Sequence, residues 1–163
     1  MKAAGIVAFA FGVPETMRSN QQIAQIASEK AWQISAPVYT QLDVFIGPGI
    51  ETEHTDEEPG HPPPTLRIAR GAAQWAADRG LKELWIVAAK PHLWRALRDV
   101  KAAIRETGNN IEVRACPEIE QYPLDSWFCS ESTQSRVRSR ATWERRERML
   151  RFIPFFIYKL IAK

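Results

Sequence analysis

The chain of 163 residues contains few of the features that identify a reaction or a metal site directly. Its two cysteines, Cys116 and Cys129, are too few for a disulfide framework and lack metal-site spacing. We therefore expect free thiols, a reducing compartment and a cytoplasmic protein. The sequence also has no G-x-x-x-x-G-K or G-x-G-x-x-G phosphate-binding motif and no nucleophile elbow. Motifs alone assign no catalytic residue, cofactor or metal.

Long hydrophobic runs are also missing. No apolar segment reaches the ~18 to 20 residues needed to cross a bilayer as a helix. The first thirteen residues, MKAAGIVAFAFGV, resemble a signal peptide in composition, but Gly12 and Pro14 break the run and a helix-start pattern follows. We favour a buried first strand. The content of 45% hydrophobic and 25% charged residues is typical of one globular domain, covering residues 1–163.

What the chain does have is an alternation of short apolar runs with amphipathic segments. The apolar runs predict four strands, at residues 5–11, 38–46, 84–89 and 111–115. The amphipathic segments predict helices between them. Ser19 and Gln22 have capping-box spacing, Thr65 is a plausible cap, and Pro91 and Gly108 suit a first turn and an end. This order predicts an α/β, Rossmann-like three-layer sandwich with a mainly parallel sheet of four to five strands.

A long acidic, proline-rich segment at residues 47–64 has neither helical nor strand period. We expect a loop that is either functional or mobile. Its carboxylates, together with His54 and His61, include metal-ligand types, but their spacing fits no regular site. The alternative is a solvated loop, which we favour, so no metal ligand is assigned.

The corner between the third strand and its helix is the predicted site. Lys90, His92 and Arg95 follow the carboxyl end of that strand, where parallel sheets usually bind ligands. Free backbone N–H groups and the positive charges favour an anion such as phosphate or carboxylate. A nucleotide or S-adenosylmethionine would suit it. Alternatively, His92 caps the helix and Arg95 is solvated.

The same stretch resembles a known family. The run from Ile86 to Ala96 resembles the strand-then-His-x-x-Arg-Ala signature of the SanA/YdcF-like family, a group of bacterial α/β domains of largely unknown function. Thr65 matches a threonine that the family places at the start of the preceding helix. Arg67 and Ile68 depart from the family, which usually has Glu and Asn there, so a divergent member is implied. The resemblance brings no settled reaction.

Three further residues are predicted to lie around the same sheet edge. They are Gly12, which ends the first strand, Arg18, which follows it, and Thr65. With Lys90, His92 and Arg95 they complete the predicted ligand-binding set.

The carboxyl terminus carries a rival prediction. Residues 134–163 contain nine basic and two acidic residues, within a net charge of +3 for the chain. A helix is expected at about 139–163, interrupted by Pro154. Its basic and aromatic parts could lie on an anionic membrane surface or dock on a partner protein. Alternatively, the aromatic part packs on the sheet and the arginines face water, which we favour. Nucleic acid is not expected, because no nucleic-acid motif accompanies the arginines.

Overall fold

The computed structural model describes residues 3–162 and contains one sheet of parallel strands. The strands are β1 (Ala4–Ala8), β2 (Val38–Thr40), β3 (Thr52–His54), β4 (Glu83–Val87) and β5 (Glu112–Ala115). Their order across the sheet is β3-β2-β1-β4-β5, with every neighbouring pair parallel. The helices are α1 (Arg18–Ile34), α2 (Thr65–Asp78), α3 (Lys90–Thr107), α4 (Arg140–Phe152) and α5 (Phe155–Ile161). Three short 3₁₀ turns lie between β5 and α4.

The helices pack on both faces of the sheet because the central strands β1 and β4 carry apolar residues on both sides. On one face, Ile6 and Val38 pack with the apolar stripe of α1 and with Trp127 and Trp143 from the carboxyl-terminal half. On the other face, β1 and β4 pack with the alanine-rich stripes of α2 and α3. The predicted α/β, Rossmann-like architecture is therefore confirmed.

The strand order creates a crevice at one position. The chain leaves β1 toward β2 on one side of it and later returns to place β4 on the other side. The connections that follow β1 and β4 therefore run in opposite directions across the sheet. The crevice between them is where open parallel sheets usually bind ligands. Residues Phe11 and Gly12 leave β1 here, and α3 begins here at Lys90.

Two predicted segments need correction. The second strand is only Val38–Thr40, because the chain turns at Gln41, whose side-chain oxygen accepts a hydrogen bond from the Ala10 amide at 2.8 Å. The segment at 47–64 is not wholly irregular, since it contains β3, which pairs with β2. Periodicity could not detect a three-residue strand whose side chains are half-buried or exposed.

The helix boundaries also differ in part. Met17, rather than Ser19, is the N-cap of α1, and the Ser19 hydroxyl donates instead to the Phe11 carbonyl at 2.8 Å, so the capping-box prediction is wrong. Thr65 is the first residue of α2 and caps nothing, because its hydroxyl faces His92. The ends predicted at Gly108 and Pro154 are confirmed.

The last helix is fixed to the body of the protein by a buried hydrogen bond. The Tyr158 hydroxyl on α5 donates to Asp99 Oδ2 on α3 at 2.6 Å. Tyr158 and Ala162 pack on Leu66 of α2. This attachment places α5 against α2 and α3. Within residues 3–162, no helix has the length and apolar character needed to cross a membrane.

Candidate anion-binding site

A pocket of about 310 Å³ lies between the start of α2, the first turns of α3, and helices α4 and α5. We call it the arginine pocket. Its basic lining consists of Arg95, Arg136 and Arg146. The remaining wall consists of Pro62, Pro63, Pro64, Thr65, Leu150, Tyr158, Ile161 and Ala162. It therefore combines concentrated positive charge with a mostly apolar wall, the usual composition of a small-molecule site.

The three arginines come from different parts of the chain and meet because the tertiary structure brings them together. Arg95 lies on α3, Arg136 in a 3₁₀ turn, and Arg146 on α4. Burial lowers the pKa of Arg136, and the neighbouring charge of Arg95 lowers it further. Burial also lowers the pKa of Arg146, with a further contribution from Arg136. Each guanidinium thus lies in the repulsive field of another, a cost that an anion between them would offset.

One buried carboxylate partly balances this charge. Glu147 Oε1 on α4 lies 3.1 Å from Arg95 Nη2, and both side chains are almost inaccessible. Burial raises the pKa of Glu147, while Arg95 and Arg146 oppose that rise. Arg95 Nε and Arg146 Nη1 are buried without a hydrogen-bond partner among residues 3–162. Three guanidinium groups and one carboxylate leave an excess of two positive charges, with donors available to a ligand.

His92 and Thr65 form the inner end of the site. Thr65 Oγ1 lies 3.2 Å from His92 Nε2, and the imidazole packs among the rings of Phe9, Phe11 and Trp143. Burial, reinforced by the charge of Arg95, lowers the pKa of His92 well below 6.5. The ring is therefore neutral at pH 7 and can either donate to the Thr65 oxygen or accept the hydroxyl proton. It is 5% exposed, so it does not face solvent as a helix cap would.

Gly12 belongs to a second, inner cavity of about 40 Å³ on the sheet side of His92. Its φ of +102° is one that L side chains rarely adopt, and a Cβ there would lie 3.0 Å from Ser132 Oγ. Asn20 holds the turn in place, since its Nδ2 donates to the Gly12 carbonyl at 3.0 Å and its Oδ1 accepts from the Phe11 amide at 2.8 Å. The inner cavity has room for about one water molecule, so a larger ligand would occupy the arginine pocket.

Two residues of the predicted set lie elsewhere. Arg18 donates from Nε to the Ser126 carbonyl at 3.1 Å and from Nη2 to the Phe128 carbonyl at 3.2 Å. It therefore ties α1 to the segment after β5. Lys90 forms an ion pair with Glu120, and it does not line the arginine pocket. Of the predicted residues, Thr65 and Arg95 line the arginine pocket, while His92 and Gly12 line the inner cavity.

Three prolines of the 47–64 segment line the site, whereas its acidic residues do not. Pro62, Pro63 and Pro64 form one wall of the arginine pocket. His54 and His61 are exposed. Among residues 3–162, no group of three or more His, Cys, Asp or Glu side chains could hold a metal ion.

The sequence analysis missed Arg136 and Arg146, which it placed in a basic run facing water or a membrane. The structure corrects this, because both side chains are half-buried at the arginine pocket. The position of Arg146 around α4 is one signal that could have identified it. Trp143 and Glu147 lie four residues apart on the buried side of α4, and Arg146 and Leu150 lie within the same sector. No comparable signal existed for Arg136, which lies outside the regular helices.

Comparison of the chain with known protein families gives no match, and comparison with curated proteins also gives none.

Proposed function

We propose that this protein binds a small phosphate-containing molecule, of about the size of a mononucleotide or sugar phosphate, in the arginine pocket. The proposal rests on the convergence of Arg95, Arg136 and Arg146 on one pocket, where the buried carboxylate of Glu147 pairs with Arg95. The expected SanA/YdcF-like relationship supports the same location, since His92 and Arg95 of its signature lie at this site.

The charge of the pocket matches a phosphate better than a carboxylate. The excess of two positive charges balances a phosphate dianion, whereas a single carboxylate would leave one arginine uncompensated. Guanidinium groups present paired donors that match the spacing of phosphate oxygens, and such charge-assisted hydrogen bonds are strong. Thr65 can add a hydroxyl donor from the first turn of α2, where the helix dipole also favours negative charge.

The volume and the wall limit the rest of the ligand. About 310 Å³ is at the lower end for small-molecule sites, so a coenzyme of dinucleotide size would extend outside the pocket. The prolines and the apolar residues of α5 offer contact to an uncharged ring. S-adenosylmethionine, which carries a sulfonium cation and a single carboxylate, fits this charge less well than a phosphate monoester does.

Isothermal titration with inorganic phosphate, adenosine monophosphate and ribose 5-phosphate tests the proposal. We expect at least one of the organic phosphates to bind more tightly than inorganic phosphate, because the apolar wall adds contact. Arg146→Gln should weaken binding at least tenfold. Arg145→Gln is the matched control, since it removes the same charge from the next position of α4, where the side chain is exposed. Equal loss in both variants, or no binding by the native protein, would reject the proposal.

A further inference from the structure

A second surface of the carboxyl-terminal region is not explained by anion binding. Ten large hydrophobic side chains are exposed within residues 3–162, and six of them lie between positions 149 and 161. We call these six the C-terminal apolar surface: Met149, Phe152, Phe156, Ile157, Leu160 and Ile161. The expectation that the aromatic segment packs on the sheet is wrong, because α5 packs through Tyr158 and Ala162 on Leu66 of α2 and leaves its other side exposed.

Exposed arginines adjoin the part of this surface that lies on α4. Arg145 and Arg148 line one shallow depression together with Met149 and Phe152. Neither arginine forms an ion pair with a residue in the range 3–162. The acidic residue of the same depression, Glu144, is already paired with Arg140, whose Nε lies 2.6 Å from Glu144 Oε1. The depression therefore presents uncompensated positive charge next to large apolar side chains.

We propose that the C-terminal apolar surface docks this protein on an anionic lipid bilayer. Phenylalanine and leucine side chains beside arginines are typical of segments that lie at a membrane interface, where the apolar groups enter the acyl boundary and the arginines contact headgroup phosphates. We expect an anionic occupant because Arg145 and Arg148 have no ion-pair partner among residues 3–162. A second copy of the chain fits less well, since a symmetric pair would bring the same arginines toward each other.

This docking uses different arginines from the arginine pocket, because Arg145 and Arg148 are exposed on α4 whereas Arg146 lines the pocket. Ile161 belongs to both the C-terminal apolar surface and the pocket wall. A peripheral attachment of this kind needs no membrane-spanning helix.

Vesicle flotation of the full chain tests the proposal, with vesicles of phosphatidylcholine alone and of phosphatidylcholine mixed with phosphatidylglycerol. We expect binding to the anionic vesicles at low salt and much weaker binding to the neutral ones. Each removed arginine should lower affinity about fivefold, so Arg145→Gln with Arg148→Gln should lower it about 25-fold. That difference should shrink at high salt, where charges are screened.

Phe152→Ser combined with Phe156→Ser should lower vesicle affinity at least tenfold at either salt concentration. Phe45→Ser is the matched control, because Phe45 is 80% exposed and Phe152 is 82% exposed, so neither substitution removes a core contact. The control should bind vesicles as the native chain does. Three results would overturn the proposal. They are equal binding to neutral and anionic vesicles, a loss of vesicle affinity in the Phe45 variant equal to that in the double variant, and no vesicle binding at all. Self-association that the Phe152 and Phe156 substitutions abolish, without vesicle binding, would assign the surface to a second copy instead.

Discussion

Replacing Arg136 with glutamine should weaken phosphate binding without lowering the stability of the free protein. Within residues 3–162, Arg136 forms no ion pair or hydrogen bond, and its pKa is lowered by burial and then by Arg95. Its charge therefore costs free energy when no anion is bound. We expect the free energy of unfolding of Arg136→Gln to stay the same or to rise by up to about 1 kcal/mol, an amount limited by solvent screening at this half-exposed position.

The loss of affinity follows from the bonds that the substitution removes. A hydrogen bond to a charged partner contributes about 1.5 to 3 kcal/mol, so the dissociation constant for a bound phosphate ester should rise roughly 10- to 150-fold. Titration calorimetry gives the affinity, and urea unfolding of the ligand-free protein gives the stability. Both measurements are needed, because a residue with a purely structural role would give the opposite pattern.

Arg95→Gln provides the contrast. Arg95 is paired with the buried Glu147, so its removal leaves a carboxylate without its partner and should destabilise the fold by about 3 to 5 kcal/mol. If Arg136→Gln destabilises the protein by a similar amount while phosphate affinity is unchanged, the reasoning from pocket charge is refuted.

Three further predictions concern stability, each measured by urea unfolding. Burial raises the pKa of Glu57 from 4.5 to about 7. Between these pH values the folded state binds more protons than the unfolded state, so the free energy of unfolding falls as the pH rises from 4.5 to 7. Glu57→Gln should therefore stabilise the protein by on the order of 1 kcal/mol at pH 8, after allowance for solvent screening, and change little at pH 4; equal effects at both pH values would contradict this. Tyr158→Phe should cost about 1 to 3 kcal/mol, because Oδ2 of the buried Asp99 loses the Tyr158 donor while Arg98 still donates to Oδ1; an unchanged unfolding midpoint would show that α5 is held by other contacts. Gly71→Ala should destabilise by about 1 to 2 kcal/mol, since a Cβ would collide with the Tyr39 hydroxyl and overpacking outweighs the gain in helix propensity; a more stable variant would mean that Tyr39 moves aside easily.

Most of the sheet and its helices could be predicted from the sequence, because hydrophobic periodicity is a local property that the folded structure retains. The predicted strands at 84–89 and 111–115 agree within a few residues with β4 and β5. Short or half-exposed elements could not be predicted as well. The strand β3 contains no large apolar residue, so hydrophobic periodicity does not predict it. Ser19 does not cap α1, because its hydroxyl donates to the Phe11 carbonyl instead.

The candidate site divides in the same way. Strand and helix order alone located the crevice edge and brought Thr65, His92 and Arg95 close to one another. The sequence did not indicate that Arg18 and Lys90 would bond elsewhere, since the Ser126 carbonyl and Glu120 come from a segment without period. Arg136 and Arg146 were grouped with solvent-facing arginines, because charge composition does not reveal which side of a helix is covered.

The sequence by itself thus determined the α/β architecture, the position of the crevice and the placing of His92 and Arg95 at the start of α3, all of which depend on local patterns. Only the tertiary structure decided which arginines meet, because Arg95, Arg136 and Arg146 come together through the docking of α4 and α5. That docking uses contacts between distant residues, such as the Tyr158–Asp99 hydrogen bond, the Arg95–Glu147 ion pair and the packing of Trp143 in the core. Contacts between residues so far apart in the chain leave no periodic trace in the sequence.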